Sequence, residues 1–187
     1  MKSKSAFTLV EMAMVLIIMG IIVGSSTKIF ASMSKNAKLH ETKELLKQMS
    51  LDIEGFTQAF NRLPTKKELL AFRIESKDAW GKEINYVSSK ELTTNLCNKT
   101  QTFLRQKQNE KSVQNLAFFL ISSGPNRNMQ TSVETAEIKT VQTALQSQQV
   151  DFNTDTINRV EAYDDLYLTR TLWSLQATLH CPQKGSL

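Results

Sequence analysis

FTLVEMAMVLIIMGIIVG, residues Phe7 to Gly24, decides how the rest of the chain is read. The run is almost continuously apolar and approaches the roughly 20 residues that a helical membrane span requires. Glu11 alone interrupts it, and the short leader MKSKSA in front supplies Lys2 and Lys4. Three readings fit a basic start followed by an apolar core. An ordinary secretory signal would be cut after the core, at small residues such as Gly24, Ser25 and Ser26. A plain membrane anchor would stay uncut. Neither accounts for Glu11. A carboxylate in an apolar span costs about 2.5–3.5 kcal/mol on insertion scales, so it marks a function and calls for a partner. The third reading gives Glu11 such a partner.

The order small residue, Phe7, Thr8, Leu9, Val10, Glu11, then an apolar run, resembles the N-terminal signal of type IV pilins and type II secretion pseudopilins. The likeness fixes charge, order and position together. It implies cleavage between Ala6 and Phe7 by a prepilin peptidase, with methylation of the new Phe7 amine. It also implies that Glu11 pairs with the N-terminal amine of a neighbouring subunit during assembly. The family usually has glycine before the cut, and this chain has Ala6. The further partners implied are other pilin or pseudopilin subunits, in homo- and hetero-assembly, an inner-membrane assembly platform and membrane lipid.

Beyond the apolar run, helical spacing continues without a break. Phe30, Met33 and Ala37, then Leu46, Met49, Ile53, Phe56 and Phe60, recur at intervals that place them on one stripe. Lys35, Lys38, Lys43, Glu44 and Lys47 lie off it, and no proline occurs between Phe7 and Phe60. One long helix is therefore predicted, ending before Pro64, which disfavours helical geometry at Leu63. Thr65 and Glu68 have the spacing of a capping box for a short helix over residues 66–72.

Residues 78–82 (DAWGK) predict a turn, with Trp80 as a core aromatic, and Ile84 to Val87 a strand. Residues 116–121 (LAFFLI) predict a strand buried on both faces. The turn formers of residues 122–128 follow it. Residues 164–168 (DDLYL) predict a turn running into a strand, and residues 171–180 a short terminal helix. Two polar stretches interrupt this order. Residues 90–114 predict a loop with a helical turn. Residues 133–149 carry weak helical spacing, with Thr131 and Glu134 as a cap. The turn before Trp80, the Ser-x-Gly-Pro turn at 123–125 and the Asp-Asp pair at 164–165 are similar to loops of the major pseudopilin.

The expected fold is α+β and pilin-like: a long N-terminal helix, transmembrane in its first half, packed on an antiparallel sheet of about three or four strands. The expected division is a leader at 1–6, a transmembrane or filament-core helix at 7–28 and its amphipathic continuation at 29–62. A head follows at 63–187, with polar inserts at about 90–114 and 131–160. Lys2 and Lys4 place the N-terminus in the cytoplasm by the positive-inside rule. The head is then periplasmic, and the resemblance implies a bacterial inner-membrane protein whose filament stands in the periplasm or at the cell surface. In an oxidising compartment Cys97 and Cys181, the only two cysteines, suggest a disulfide worth about 4–5 kcal/mol in the chain-entropy model. Two buried free thiols are the alternative.

The formal charge of +5 does not argue for nucleic acid, because the basic residues are dispersed rather than gathered on one face. His40 and His180 have no nucleophile motif beside them, and no glycine-rich phosphate loop occurs, so no enzyme is expected. The resemblance implies one ion site. In major pseudopilins the loop after the second strand folds around calcium, which takes 6–8 oxygen ligands. The matching positions are Ser123, Asn126, Asn128, Asp164 and Asp165. An Asx-turn loop without metal is the alternative.

The resemblance implies a structural subunit of a secretion pseudopilus that supports protein export. Type IV or competence minor pilins, serving adhesion, motility or DNA uptake, share the same N-terminus. An anchored single-pass binding protein is the reading from another class.

Overall fold

A computed structural model describes residues 9–72, 74, 77–108, 111–134, 137–140, 146–152, 155–161 and 163–181. Helix α1 runs from Leu9 to Phe60, so the predicted pattern without proline yields one continuous element. Backbone contacts divide the chain into two compact units, Met1–Lys38 and Leu39–Leu187.

In the second unit, α1 buries Leu46, Met49, Ile53 and Phe56, four members of the expected stripe. Phe60, the fifth, is exposed at the end of the helix. Asn61 stops the helix: it takes a left-handed conformation (φ 50°), and its N–H donates to the Thr57 carbonyl at 2.8 Å. Asparagine enters this region more easily than most residues. The short helix α2, Lys66–Ala71, starts on the predicted capping box: Glu68 N–H donates to Thr65 Oγ1, and Thr65 N–H to Glu68 Oε2. Tyr86 O–H donates to the Pro64 carbonyl at 3.0 Å, fixing the turn between the two helices.

The sheet facing α1 has three antiparallel strands: β1 (Asn85–Ser88), β4 (Leu116–Ser122) and β9 (Leu166–Thr171), in the order β1-β4-β9. Every residue of β4 is buried, because layers cover both of its faces. Ala117, Phe118 and Leu120 pack with Leu46, Met49, Ile53, Leu69, Tyr86 and Leu172. Phe119 and Ile121 pack on the other side with Leu104 and Ile138. A strand covered on both faces has no use for polar alternation. Each such side chain contributes about 1.5–3 kcal/mol by leaving water. Thr171 caps the terminal helix α3, Leu172–Thr178, by accepting from Ser174 N–H. The α+β, pilin-like arrangement of a long helix packed with an antiparallel sheet is present.

The polar stretches differ from their expected form. Residues 90–114 hold two 3-10 turns, Lys90–Thr93 and Leu96–Asn98, and strands β2 (Arg105–Gln108) and β3 (Lys111–Val113). The described residues between 131 and 161 form strands, not helix: β5 (Thr131–Glu134), β6 (Glu137–Thr140), β7 (Gln146–Phe152) and β8 (Asp155–Glu161). Thr131 opens a strand instead of capping a helix. β-Branched Thr and Val suit a pleat better than a helical turn, and a sheet neighbour is available: β2 pairs parallel to β6 in the order β3-β2-β6-β5. Ile138 from this mixed sheet is fully buried against the outer face of β4. Strands β7 and β8 form a separate antiparallel pair. The expectation of three or four strands thus holds for the sheet on α1 alone.

Trp80 is half-buried, not a core residue. The buried group of its loop is Asp78, which accepts from Trp80 N–H at 3.0 Å, Lys82 N–H at 2.8 Å and Ser122 Oγ at 2.7 Å. Gly81 (φ 78°) permits the turn, and Ala79 N–H donates to Thr42 Oγ1 on α1 at 3.2 Å.

Candidate functional site

The first unit carries the candidate assembly segment. Ala6 and Phe7, the expected processing site, lie outside the described residues. Glu11 lies close to the start of the described part of α1. Around it the helix is apolar on all sides: Leu9 is 87 % exposed, and Val10, Met12, Leu16, Ile17 and Ile21 are exposed with it. A helix apolar all round requires a membrane or other protein as its surroundings. Among the described residues no helix is long and apolar enough to cross a membrane. The described part of the run begins at Leu9 and ends at Gly24, short of the roughly 20 residues of a span.

The second unit contains the loop pair expected to hold an ion. Residues 123–130 and 163–165 do meet. Asn126 N–H donates to Asp164 Oδ2 at 3.1 Å, and Asp164 N–H donates to the Gln130 side-chain oxygen at 2.7 Å. Asp165 Oδ2 accepts from Gln130 N–H at 2.8 Å and Thr131 N–H at 2.6 Å. Asn128 N–H donates to Asn126 Oδ1 at 2.8 Å, an Asx turn. Ser123 is buried within the same loop. Gly124 has φ 65°, and a Cβ there would collide with the Asp164 carbonyl, so only glycine allows this approach. Thr131 Oγ1 and Tyr163 Oη lie 2.9 Å apart. The polar insert therefore leaves and returns at one place, and the two halves of the loop pair stay together.

Asp165 Oδ1 is buried without a hydrogen-bond partner. Burial pushes the Asp165 carboxyl above the ordinary aspartate range, against the lowering effect of the Thr131 and Gln130 donors. Burial likewise raises Tyr163, to about 12. Among the described residues no three His, Cys, Asp or Glu side chains gather as a metal site. Calcium here would lean on amide and carbonyl oxygens beside two carboxylates, which weakens a site. The buried, unpartnered Asp165 Oδ1 is the feature that suits a cation.

Cys97 and Cys181 are joined by a disulfide, with Cα atoms 5.3 Å apart, within the ordinary range. Sequence reasoning missed three linking residues. Asn61 Oδ1 accepts from Cys97 N–H, and its Nδ2 donates to Asn95 Oδ1, which ties the end of α1 to the disulfide region. Gln130 links the two loops, and Glu54 on α1 accepts from Arg170 Nε on β9 at 2.6 Å. A lone polar residue in a polar stretch carries no spacing signal. Glu54 alone had one, since it adjoins the apolar stripe.

Residues 1–27 match a family model for the prokaryotic N-terminal methylation motif. The chain thus carries the signature of type IV pilins and pseudopilins. The motif implies a membrane-anchored N-terminus, processing by a prepilin peptidase and assembly with other pilin subunits. No curated protein and no solved structure matches the chain.

Proposed function

We propose that the chain is a structural subunit of a pilus-like filament, of the type II secretion pseudopilin kind, and that it supports protein export. It acts by assembly, not catalysis. The observation that carries this reading is the exposed apolar run around Glu11, near the start of the described part of α1, lying under the methylation motif. Before assembly the segment anchors the chain in the bacterial inner membrane, with the leader cytoplasmic and the head periplasmic. Cleavage between Ala6 and Phe7 frees the Phe7 amine, which the peptidase then methylates and which carries a positive charge. In the filament that amine of one subunit faces Glu11 of its neighbour, so two charges leave water as a pair. Apolar side chains of adjacent helices replace lipid around them. The turn of Asp78 and Gly81 and the clasped loop pair support the secretion branch over other pilins.

The test is the intact mass and first residue of the protein purified from its own cell membranes. A chain that begins at N-methylated Phe7 agrees with the proposal. A chain that begins at Met1, or near Ser25, refutes it.

Within this reading, the loop pair is proposed to hold calcium through Asp164, Asp165, Asn126, Asn128 and the Ser123 carbonyl. A bound ion would neutralise the buried carboxylate of Asp165. Thermal unfolding of the full chain in detergent, with calcium and then with chelator, checks this. Equal midpoints in the two conditions would leave the loops as Asx turns.

A further inference from the structure

The second unit leaves an apolar surface uncovered. Leu51, Gly55, Phe56, Ala59 and Phe60 of α1 and Phe72 beyond α2 wall a groove of about 510 Å³. The Phe56 ring centre lies 4.5 Å from that of Phe60 and 5.3 Å from that of Phe72. Phe60 is 51 % exposed and Phe72 57 %. Over Gly55 the groove is open, since a Cβ there would meet nothing within 4 Å. Exposed rings gathered beside small residues mark a protein contact surface. The segment bordering the groove, Arg62 to Arg73, holds four basic residues and one acid, a net charge of +3. The acid, Glu68, pairs with Arg62, so the excess charge lies on Lys66, Lys67 and Arg73.

The same unit holds an element in need of a surface. Among the described residues, strands β7 and β8 pair with each other and join neither of the two sheets. A two-stranded hairpin is marginal in water by itself, and a layer on an apolar face stabilises it. The register defines such a face. Val150 stands opposite Ile157, and Phe152 opposite Asp155, so Val150, Phe152 and Ile157 fall on one side of the pleat. Ser147, Gln149, Asp151, Thr156 and Asn158 fall on the other side with Val160. Charge supplies the second match. The hairpin, Gln146 to Glu161, holds three acids and one base, a net charge of −2, opposite to that of the groove border.

The layers of the head keep the hairpin from the groove of its own chain. Met49 and Ile53 of α1 pack on one face of β4, against Phe118 and Leu120. Ile138 of the mixed sheet packs on the other face, with Phe119. β7 follows β6 of that mixed sheet, so the central sheet stands between the root of the hairpin and the groove on α1. We propose that the face of β7 and β8 bearing Val150, Phe152 and Ile157 docks in the groove of a second copy of this chain, a contact that rests on the filament reading and assigns it an interface between heads. Phe152 enters beside Phe56, Phe60 and Phe72, and Asp155, its register partner, meets the basic border.

Photo-cross-linking in the full-length chain tests the contact. Benzoylphenylalanine takes the place of Phe152, and the sedimented filament fraction is irradiated. The expected product is a covalent dimer, about fivefold more abundant than with the same probe at Asp151 on the opposite face. Its partner peptide is expected within residues 51–72. Phe60→Ser, at an exposed position, is expected to cut that dimer about fivefold while leaving the circular dichroism of the chain unchanged. Where the Phe152 variant does not assemble, the reciprocal probe at Phe72 decides, with its partner peptide expected within residues 146–161. If wild-type filaments form and the probe links within its own chain, to another segment of the partner, or no better than at Asp151, the contact is refuted and the filament reading stands. If the wild type forms no filaments, that reading fails and this contact falls with it.

Discussion

Replacing Asp165 by alanine removes the clasp of the loop pair, and its cost follows from the donors left behind. Asp165 is 5 % exposed, and its Oδ2 accepts from two backbone N–H groups, those of Gln130 and Thr131. Both of those residues are buried. A buried donor left without an acceptor costs about 1–3 kcal/mol, so the pair costs about 4 kcal/mol. Deleting a carboxylate that burial already disfavours returns about 1 kcal/mol of that. The net expectation for Asp165→Ala is a loss of about 3 kcal/mol, a fall of ~10 °C in Tm for a domain of this size. Asp165→Asn keeps an oxygen for both donors and should stay within about 1 kcal/mol of wild type.

Urea unfolding of the full chain in detergent, followed by Trp80 and Trp173 fluorescence, measures both variants. The pH dependence gives a second readout. The folded chain holds the Asp165 proton more tightly than the unfolded chain does. Between the ordinary aspartate value near about 4 and the raised folded value, the folded state therefore binds more protons. The contribution of this group to stability is thus fully present below the ordinary value and falls as pH rises through the raised one. The asparagine variant should lack that slope. Equal losses in the Ala and Asn variants would show that charge, not the pair of N–H groups, governs the site and would refute the reasoning.

Other consequences follow from named contacts. Arg170→Ala leaves Glu54 buried with Ser50 Oγ as its remaining side-chain donor. Because Arg170 is partly exposed, the expected loss is about 2 kcal/mol rather than the larger figure for a fully buried pair, and Glu54→Gln in the same chain should restore part of it in urea unfolding. Cys97→Ser with Cys181→Ser opens a loop spanning 84 residues and should lower stability by about 4 kcal/mol, read as a fall in the urea midpoint. The Arg62 guanidinium, with the Thr65 N–H and hydroxyl, holds Glu68 down to about 2. Its contribution is present above the ordinary glutamate value and is lost as pH falls from there toward about 2, which amide shifts of Thr65 and Glu68 should track. Glu68→Gln should abolish that titration.

The elements legible in the sequence were those in which one local signal and the tertiary environment agree. Pro64, Thr65 and Glu68 define an end and a cap within five residues, and the structure uses each of them. LAFFLI announces a strand covered on both faces, and β4 is that strand. Phe7 to Glu11 carries order and charge that few other segments share. The polar inserts carried no such agreement. Between Thr131 and Glu161 the periodicity is weak, and pairing with β2, itself in the other insert, selects strand over helix. A parallel partner such as β2 for β6 lies about thirty residues away, beyond any local window. Trp80 was misplaced for a related reason: its loop is held by buried Asp78, so the aromatic ring can stay near the surface.

The loop pair was half legible. Asp164 and Asp165 stood out as paired acids, and their approach to residues 123–130 holds in the structure. Gln130 and Thr131 did not stand out, yet they hold the two loops together through backbone donors and an amide oxygen. This arrangement explains how a strand-rich insert of some thirty residues is tolerated. Its two ends are clasped at Thr131, Tyr163 and Asp165, so the ion-binding candidates on either side keep their places whatever the insert does. The same logic separates the two halves of the functional reading. In the proposed function, assembly rests on Glu11 and the apolar helix around it in the first unit. The clasp stabilises only the second. Asp165→Ala should therefore lower the stability of the head while leaving removal of the leader at Ala6 and Phe7 unchanged, because the peptidase acts on the N-terminal segment. Loss of processing in that variant, measured by intact mass, would mean that the two halves are coupled.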